Sequence, residues 1–326
     1  MTALNRVVVL AGGIGGARLA GGLQEHLGAR LKVIVNVGDD LERHGLYLCP
    51  DHDTLMYTLA GIENTEAGWG LEEETWSVAA QLEVYGEETW FRLGDRDMAA
   101  HIVRTARLKE GQRLTEIARA LQLALGVEAK ILPMTDDIVR TELRTEEDGW
   151  LEFQEYYVRL RSEPTVLETR FVGIEGSRPT PEVNVALAEA DAIVLGPSNP
   201  FVSIGPILDV PGLREAIDWA KARGVPIVAV TPIVGGHAIK GPADRMLASL
   251  GHDVSAAGVA RLYRGLVTGF VLDNVDAALE PSIAELGMAT LVTDTIMGDR
   301  AGRARLAGDV LGFMETLQPR REEAGR

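Results

Sequence analysis

Arg6-Val7-Val8-Val9-Leu10-Ala11-Gly12-Gly13-Ile14-Gly15-Gly16 is the stretch on which the fold is read. Its first six residues form a continuous apolar, β-branched run without polar alternation, the pattern of a parallel strand covered on both faces. The glycines behind it allow backbone N–H groups to approach an anion at a helix N-terminus, which makes Gly12, Gly13 and Gly15 candidate phosphate contacts. A helix is expected over 17–27, then a second strand over 31–37, closed by Gly38-Asp39-Asp40. Together these make one βαβ unit, with a right-handed crossover expected. The glycine pattern is incomplete as a dinucleotide fingerprint. Arg18 stands where a small third residue is wanted, and no Lys-Ser/Thr P-loop ending follows. A phosphate site is therefore expected without a named ligand; the competing reading is a tight turn that only joins strand to helix.

The same rhythm returns in the second half. A strand over 192–195 ends in Gly196-Pro197-Ser198-Asn199-Pro200, a helix covers about 212–223, and further strands fall at 226–230, 270–273 and 289–293. Alternating strands and helices predict an α/β fold, a Rossmann-like, doubly wound, mostly parallel sheet. The middle differs: residues from about 63 to 161 are richer in Glu, Trp and Arg. Leu114, Ile117, Leu121 and Leu125 fall at helical spacing, while 141–144 and 150–159 flank the turn signal Glu147-Asp148-Gly149. The expected organisation is one α/β domain over 1–326 with an inserted helical and β-hairpin cap at about 63–161 and a frayed tail at 318–326.

Composition narrows the function classes. The chain has 326 residues, 46% of them hydrophobic, and 32 Lys plus Arg against 48 Asp plus Glu give a formal charge of −16. Such a balance opposes binding to nucleic acid or anionic lipid but leaves room for a local positive pocket. The single cysteine, Cys49, cannot form an internal disulfide, and no signal-peptide pattern opens the chain, so a cytoplasmic protein is expected. The apolar stretch 225–234 is broken by Pro226, Thr231 and Pro232 and is too short to span a bilayer.

Four carboxylates, Asp39, Asp40, Asp51 and Asp53, gather around the end of the second strand. They repel one another unless a cation or hydrogen-bond donors intervene, and hard oxygen ligands suit Mg²⁺, which takes one or two carboxylates plus substrate phosphates. The alternatives are helix capping by Asp51 or Asp53 near Thr54, and a lone ribose-binding acid as in a nicotinamide dehydrogenase. Lys240 and His237, in a later loop at a strand end, are candidate phosphate contacts or simply surface residues. Asp95 reads as a helix cap at the start of a charged group with Arg92, Arg96 and Asp97. Trp69, Trp76 and Trp90 are candidates for stacking on a flat ring or for ordinary packing. Cys49 reads as a buried small hydrophobe rather than a nucleophile.

Several segments in one order carry a family resemblance. Asn36-Val37-Gly38-Asp39-Asp40 precedes Cys49-Pro50-Asp51-His52-Asp53-Thr54, Trp69-Gly70, Glu74-Thr75-Trp76, and Arg92-Leu93-Gly94-Asp95-Arg96-Asp97 with His101. Leu132-Pro133-Met134-Thr135-Asp136-Asp137, Gly196-Pro197-Ser198-Asn199-Pro200 and Ser203-Ile204-Gly205-Pro206-Ile207 follow. This order resembles the 2-phospho-L-lactate transferase family of coenzyme F-420 biosynthesis, to which phosphoenolpyruvyl transferases also belong, over nearly the whole chain. The resemblance implies a Mg²⁺-dependent transferase, usually a homodimer. The donor it implies is a guanosine diphosphate ester of a three-carbon acid, the acceptor the deazaflavin FO, and the released product GMP. It further implies Asp53 and Arg92 as acceptor contacts, Asp39 with Asp51 or Asp53 as metal ligands, and Ser198, Asn199 and Gly205 as part of the nucleotide site. His52 stands where Leu is common. The resemblance leaves open which acid is carried. The rival is a non-catalytic nucleotide-sugar-binding regulator of similar fold, which typically carries Pro-Pro-Gly-Asp in place of Pro50-Asp51-His52-Asp53 and lacks the Leu93-Gly94-Asp95-Arg96-Asp97 segment.

Overall fold

Val7–Ala11 forms strand β1, and all five residues are buried, as a run without polar alternation demands of a strand covered on both faces. In the computed structural model, which describes residues 4–319, β1 passes almost directly into helix α1, Gly13–Leu27. The helix thus begins four residues before the expected start at 17, and the glycines are its first turn rather than a connecting loop. Gly13 takes φ 62° there, a left-handed value that favours glycine. Strand β2, Leu31–Val35, pairs parallel with β1 and stops two residues short of the expected 37.

A short antiparallel hairpin follows, β3 (Leu41–Arg43) and β4 (Leu46–Leu48), then helices α2 (Pro50–Ala60), α3 (Ser77–Val84), α4 (Asp97–Lys109) and α5 (Leu114–Ala124). Strand β5, Lys130–Pro133, returns to the central sheet beside β2. A separate sheet is built from β6 (Arg140–Thr145), β7 (Gly149–Glu152) and β8 (Val166–Val172), in the order β7-β6-β8. The second half adds α6 (Pro181–Ala188), β9 (Ala192–Leu195), α7 (Gly205–Asp209), α8 (Leu213–Ala222) and β10 (Ile227–Val230). The two-residue hairpin strands β11 (Ile233–Val234) and β12 (His237–Ala238) come next, then α9 (Ala243–Ser249), α10 (Ala256–Leu262), β13 (Gly269–Asp273), α11 (Glu280–Ala284), β14 (Ala289–Thr293) and α12 (Arg300–Leu317).

The central sheet has seven strands in the order β14-β13-β10-β9-β1-β2-β5, and every neighbouring pair is parallel. This is the expected Rossmann-like, doubly wound sheet. Side chains of β1 alternate between its faces. Val7 and Val9 pack with Leu19 and Leu23 of α1, Leu55 of α2 and Val310 of α12. Val8 and Leu10 pack with Val183 of α6, Ile217 of α8 and Val259 of α10. The strand order reverses between β1 and β9, which opens a crevice at their carboxyl ends where ligands bind in open α/β sheets.

Three sequence expectations change in the middle of the chain. The stretch 63–161 is divided, because β5 inside it is an edge strand of the central sheet, where the terminal Pro133 removes no needed ladder donor. The hairpin's second strand ends at Glu152 and gives way to a π-helical turn, Glu155–Arg159, instead of running to 159. The unexpected β8 completes that sheet; its mixed burial carries no clean alternation to read. Of the tail expected to fray, 320–326 lie outside the described residues. No helix among the described residues is long and apolar enough to cross a membrane.

Helices α1 and α12 approach closely at Gly22, where a Cβ would lie 2.2 Å from the carbonyl oxygen of Arg303. Backbone cannot yield as a flexible side chain does, so Gly22→Ala should lower the unfolding free energy by ~1–3 kcal/mol, the usual cost of overpacking. Urea midpoints of the two proteins check this, and an unchanged midpoint would show that the helices separate freely.

Candidate active site

The loops after β1 and β9 meet at the switch point. Ser198 Oγ accepts from Gly12 N at 3.2 Å and donates to Gly12 O at 2.7 Å. A Cβ at Gly15 would lie 2.3 Å from Pro197 O, so only glycine permits this approach. Beside the contact opens a cleft of about 620 Å³, within the size range of small-molecule sites. Its lining residues come from several elements. Asp53, Tyr57 and His101 belong to α2 and α4, with Trp69, Trp90 and Arg92 in the segments leading to α4. Phe153, Tyr157, Arg161, Asn199 and Lys240 come from the β7–β8 region and the loops after β9 and β12. Gly12, Gly13, Gly15, Asp39 and Asp51 line it as well.

The helix N-terminus is already occupied by the chain itself. Asp51 Oδ1 accepts from Gly13 N at 2.7 Å, and its Oδ2 accepts from Asn36 Nδ2 at 3.0 Å. With Gly12 N committed to Ser198, two of the three glycine amides expected to face a phosphate are used internally. Gly12 is required sterically, since a Cβ there would lie 2.5 Å from Asp51 Oδ2. Helix α2 begins at Pro50, so Asp51 and Asp53 sit inside its first turn instead of capping a helix near Thr54.

The four acids differ in state. Burial pushes Asp51 up to about 6, against the opposing donors Asn36 and Gly13. Asp39 is raised well above the carboxylate range by burial and then by the charge of Asp51, and its Oδ1 has no hydrogen-bond partner among the described residues. Asp40 does not line the cleft. It lies buried beneath, accepting from Cys49 Sγ at 3.1 Å, and burial lifts it to about 7. That contact, with burial raising the Cys49 thiol, agrees with Cys49 as an inert buried residue.

Asp53 behaves oppositely. Burial alone would raise it, but the charge of Arg104 and the hydrogen bond with His52 override that and hold it below the usual carboxylate range. Arg104, 1% exposed, forms an ion pair with Asp53 Oδ1, which also lies 3.0 Å from His52 Nδ1. Its other terminal nitrogen meets His101 Nδ1 at 3.1 Å. A guanidinium only donates, so this His101 nitrogen accepts and the ring proton sits on Nε2, 3.3 Å from Asp97 Oδ2. Tyr57 OH donates to Asp97 Oδ1 at 2.6 Å. Asp53, Asp97 and His101 are near enough together to hold a metal ion, yet Arg104 already supplies the positive charge and occupies the imidazole lone pair. The trio thus carries internal charge compensation from a buried guanidinium, while Asp53 Oδ2 keeps no hydrogen-bond partner among the described residues.

The sequence reading did not single out Arg104, and it named Asp97 and His101 only within motifs. Their spacing of four and then three residues is the available signal, because it places all three on one face of α4. Tyr57, Phe153, Tyr157 and Arg161 were also missed, and no local pattern marks them. Arg92 lines the cleft with its guanidinium 4.2 Å over the Trp76 ring, so Trp76 is covered, whereas Trp69 and Trp90 line the cleft. Asp95 is a cap, but for α3: it accepts from Ser77 N at 2.9 Å and Val78 N at 3.0 Å. Glu74 caps α4 through Arg96 N and Asp97 N, at 2.7 and 3.1 Å. Ser198, Asn199 and Lys240 line the cleft. Gly205 does not; it starts α7, packed against Pro200 O and the Phe171 ring. His237 is exposed on the β11–β12 hairpin and is not a lining residue either.

The seven-stranded sheet and the acid-floored cleft at its switch point define a Rossmann-like α/β protein built to hold a small ligand at its strand ends. Residues 7–295 match the family model described as 2-phospho-L-lactate transferase CofD, and the chain belongs to that family of transferases. The phosphoenolpyruvate transferase of Streptomyces griseus is 44% identical over 319 residues, covering 96% of this chain and 99% of that protein. The protein of the same name from Mycobacterium tuberculosis is 43% identical, covering 89% and 94%. The 2-phospho-L-lactate transferase of Methanocaldococcus jannaschii is 36% identical, covering 95% and 99%. Among solved structures, a UPF0052 family member from Bacillus halodurans aligns with a TM-score of 0.60 at 16% identity, covering 95% of this chain and all of that one, which shows the shared fold.

The state of Asp40 has a measurable consequence. Its carboxyl rises from 3.8 to about 7 on folding, so the folded chain holds that proton more tightly and this group's contribution to stability falls as pH rises between those values. Asp40→Asn removes the charge while keeping the shape. The variant's Tm relative to wild type should therefore be higher at pH 8 than at pH 5. Equal Tm differences at the two pH values would show that Asp40 stays ionised throughout.

Proposed function

We propose that this protein transfers a phosphoenolpyruvyl or phospholactyl group from a guanosine diphosphate ester to the ribityl hydroxyl of FO, releasing GMP, in coenzyme F-420 biosynthesis. Membership of the transferase family supports the reaction class. Between the two acids, the higher identity to proteins named phosphoenolpyruvate transferase favours the phosphoenolpyruvyl group. The observation that carries the reading is the division of labour among the cleft acids: one pair is left without a cation, and one carboxylate is held ionised by a buried guanidinium.

Asp53 remains a carboxylate because Arg104 neutralises it, and its Oδ2 has no hydrogen-bond partner among the described residues. It is the group to receive the acceptor hydroxyl. A carboxylate held below its ordinary range is a weaker base, so it orients the hydroxyl and takes the proton late, as the new O–P bond forms and the bond to GMP breaks. Arg92, on the same side of the cleft, is the second acceptor contact.

The donor set around Asp39 fits Mg²⁺. Its buried Oδ1 lacks a partner and its charge is opposed by neighbouring Asp51, a combination that a hard divalent cation relieves. Asp39, with Asp51 beside it, would hold the ion, while Asp53, already matched by Arg104, would not. Bound there, Mg²⁺ supplies charge neutralisation to the donor phosphates. The residues of the chain do the positioning: Ser198 locks the two glycine loops together, Asn199 and Lys240 line the donor side, and Gly12, Gly13 and Gly15 let the donor approach the floor.

The test is incubation of the purified protein with FO, Mg²⁺ and each guanylylated three-carbon acid, read by product mass. Phosphoenolpyruvyl-FO together with GMP is expected. Binding of a UDP-sugar with no product from any guanylylated acid would instead make this a regulator. Asp39→Asn should slow turnover by about 100-fold or more, in the range for loss of one electrostatic partner of a transition state, while leaving FO affinity nearly unchanged. Wild-type turnover in that variant would remove Asp39 from the metal site.

A further inference from the structure

Arg161 and Ser162 are consecutive residues in the left-handed backbone region, at φ 52° and 56°. The described residues contain two other non-glycine positions of this kind, His44 and Glu73, which are neither adjacent nor in the cleft, whereas Arg161 and Ser162 both line it. Such a conformation persists only where the surroundings over-determine it, and it collects at functional sites. Here the surroundings are specific. Arg245 Nη1 donates to Arg161 O at 3.3 Å and to Ser162 O at 3.0 Å. The buried Tyr156 donates its hydroxyl to Ser162 O at 3.4 Å, and Ser162 N donates to Tyr156 O at 2.9 Å. The turn leaves the π-helical segment Glu155–Arg159, itself a rare element that concentrates at functional sites.

This strained turn presents a free cation. Arg159, two residues earlier, is paired with Glu155 at 2.7 Å. Arg161 is exposed, and its guanidinium has no ion-pair or hydrogen-bond partner among the described residues. The segment packs with Val202 and Met246, and Met246 Sδ receives Asn199 Nδ2 at 3.3 Å, so the segment that carries Arg161 packs against the residues that hold the Asn199 loop. Above a floor of carboxylates, a polyanionic donor needs positive charge that the protein has not already spent, and a guanidinium fork matches both carboxylate and phosphate oxygens.

We propose that Arg161 is a donor-binding residue that pairs with an oxyanion of the guanylylated acid, either its carboxylate or a phosphate, and thereby sets donor affinity without touching the acceptor. The proposal rests on the reaction given above, and the test separates the two. Donor and FO kinetics are measured for wild type, Arg161→Gln, Arg161→Lys and Arg161→Gly, and GDP binding to each is measured by calorimetry. Arg161→Gln should raise the donor KM by about 10–100-fold, as for a lost charge-assisted pair, with the FO KM within about twofold of wild type. Arg161→Lys should recover part of the loss. Arg161→Gly should lose donor affinity equally yet melt above Arg161→Gln, because glycine relieves the left-handed strain, a split that a merely structural arginine would not produce. Weakened ester binding with unchanged GDP binding assigns the pair to the carboxylate; weakening of both assigns it to phosphate. Should wild type turn over no guanylylated acid, the reaction reading fails, while loss of GDP binding in Arg161→Gln still upholds the arginine. Ester KM and GDP affinity both within about twofold of wild type in Arg161→Gln would overturn the proposal.

Discussion

The cleft depends on one contact, the carboxylate of Asp51 seated on the N-terminus of α1. Gly13 N and Asn36 Nδ2 both donate to it, so a single side chain ties the first turn of α2 to the start of α1 and the end of β2. An anion is favoured at that position by the aligned helix amides. Because the protein provides that anion itself, the glycine loop does not cradle a phosphate as a P-loop does. The loop instead holds an acid in place beside Asp39, and the steric demand for glycine at Gly12 comes from that acid and from Ser203.

From this seat follows the charge pattern of the site. Asp39 and Asp51 are two buried acids with no cation in contact among the described residues; burial raises both, and the charge of Asp51 raises Asp39 further. Asp53, two residues beyond Asp51 on the same helix turn, is depressed because Arg104 reaches it from α4. Neighbouring carboxylates of one motif are thereby assigned to opposite states by what faces them, the usual way in which a single constellation divides roles. The proposed transfer from an anionic donor to an alcohol would use that division, the raised pair being offered to phosphates and the ionised carboxylate to a hydroxyl.

Support for the cleft comes from elements remote in sequence. Asp95 closes α3, Glu74 closes α4, and Gly94 is needed because a Cβ would lie 2.0 Å from Glu74 Cγ. The motif from Arg92 to Asp97 is thus half scaffold and half site: Arg92 and Asp97 line the cleft, whereas Asp95 holds the helix that precedes them. Arg18, at the position where a small residue closes the dinucleotide fingerprint, donates to Met297 O and Thr65 O. Its long side chain fastens the α12 approach to the loop after α2, which explains why that fingerprint is broken here.

The sequence alone determined the sheet strands that are short, apolar and unalternating, because β1, β9 and β10 are buried on both faces and only such runs survive there. It also marked Asp39, Asp51, Asp53, Ser198 and Asn199, since residues at strand ends stand where ligands bind in this class of sheet. Only the tertiary structure decided that Asp40 lies beneath the cleft, that Gly205 and His237 stand outside it, and that β5 belongs to the central sheet. It alone brought Arg104 to Asp53 and a left-handed turn at Arg161 to the cleft. These depend on contacts between elements far apart in the chain, and a pattern of neighbouring residues records which face a side chain takes but not what waits opposite it.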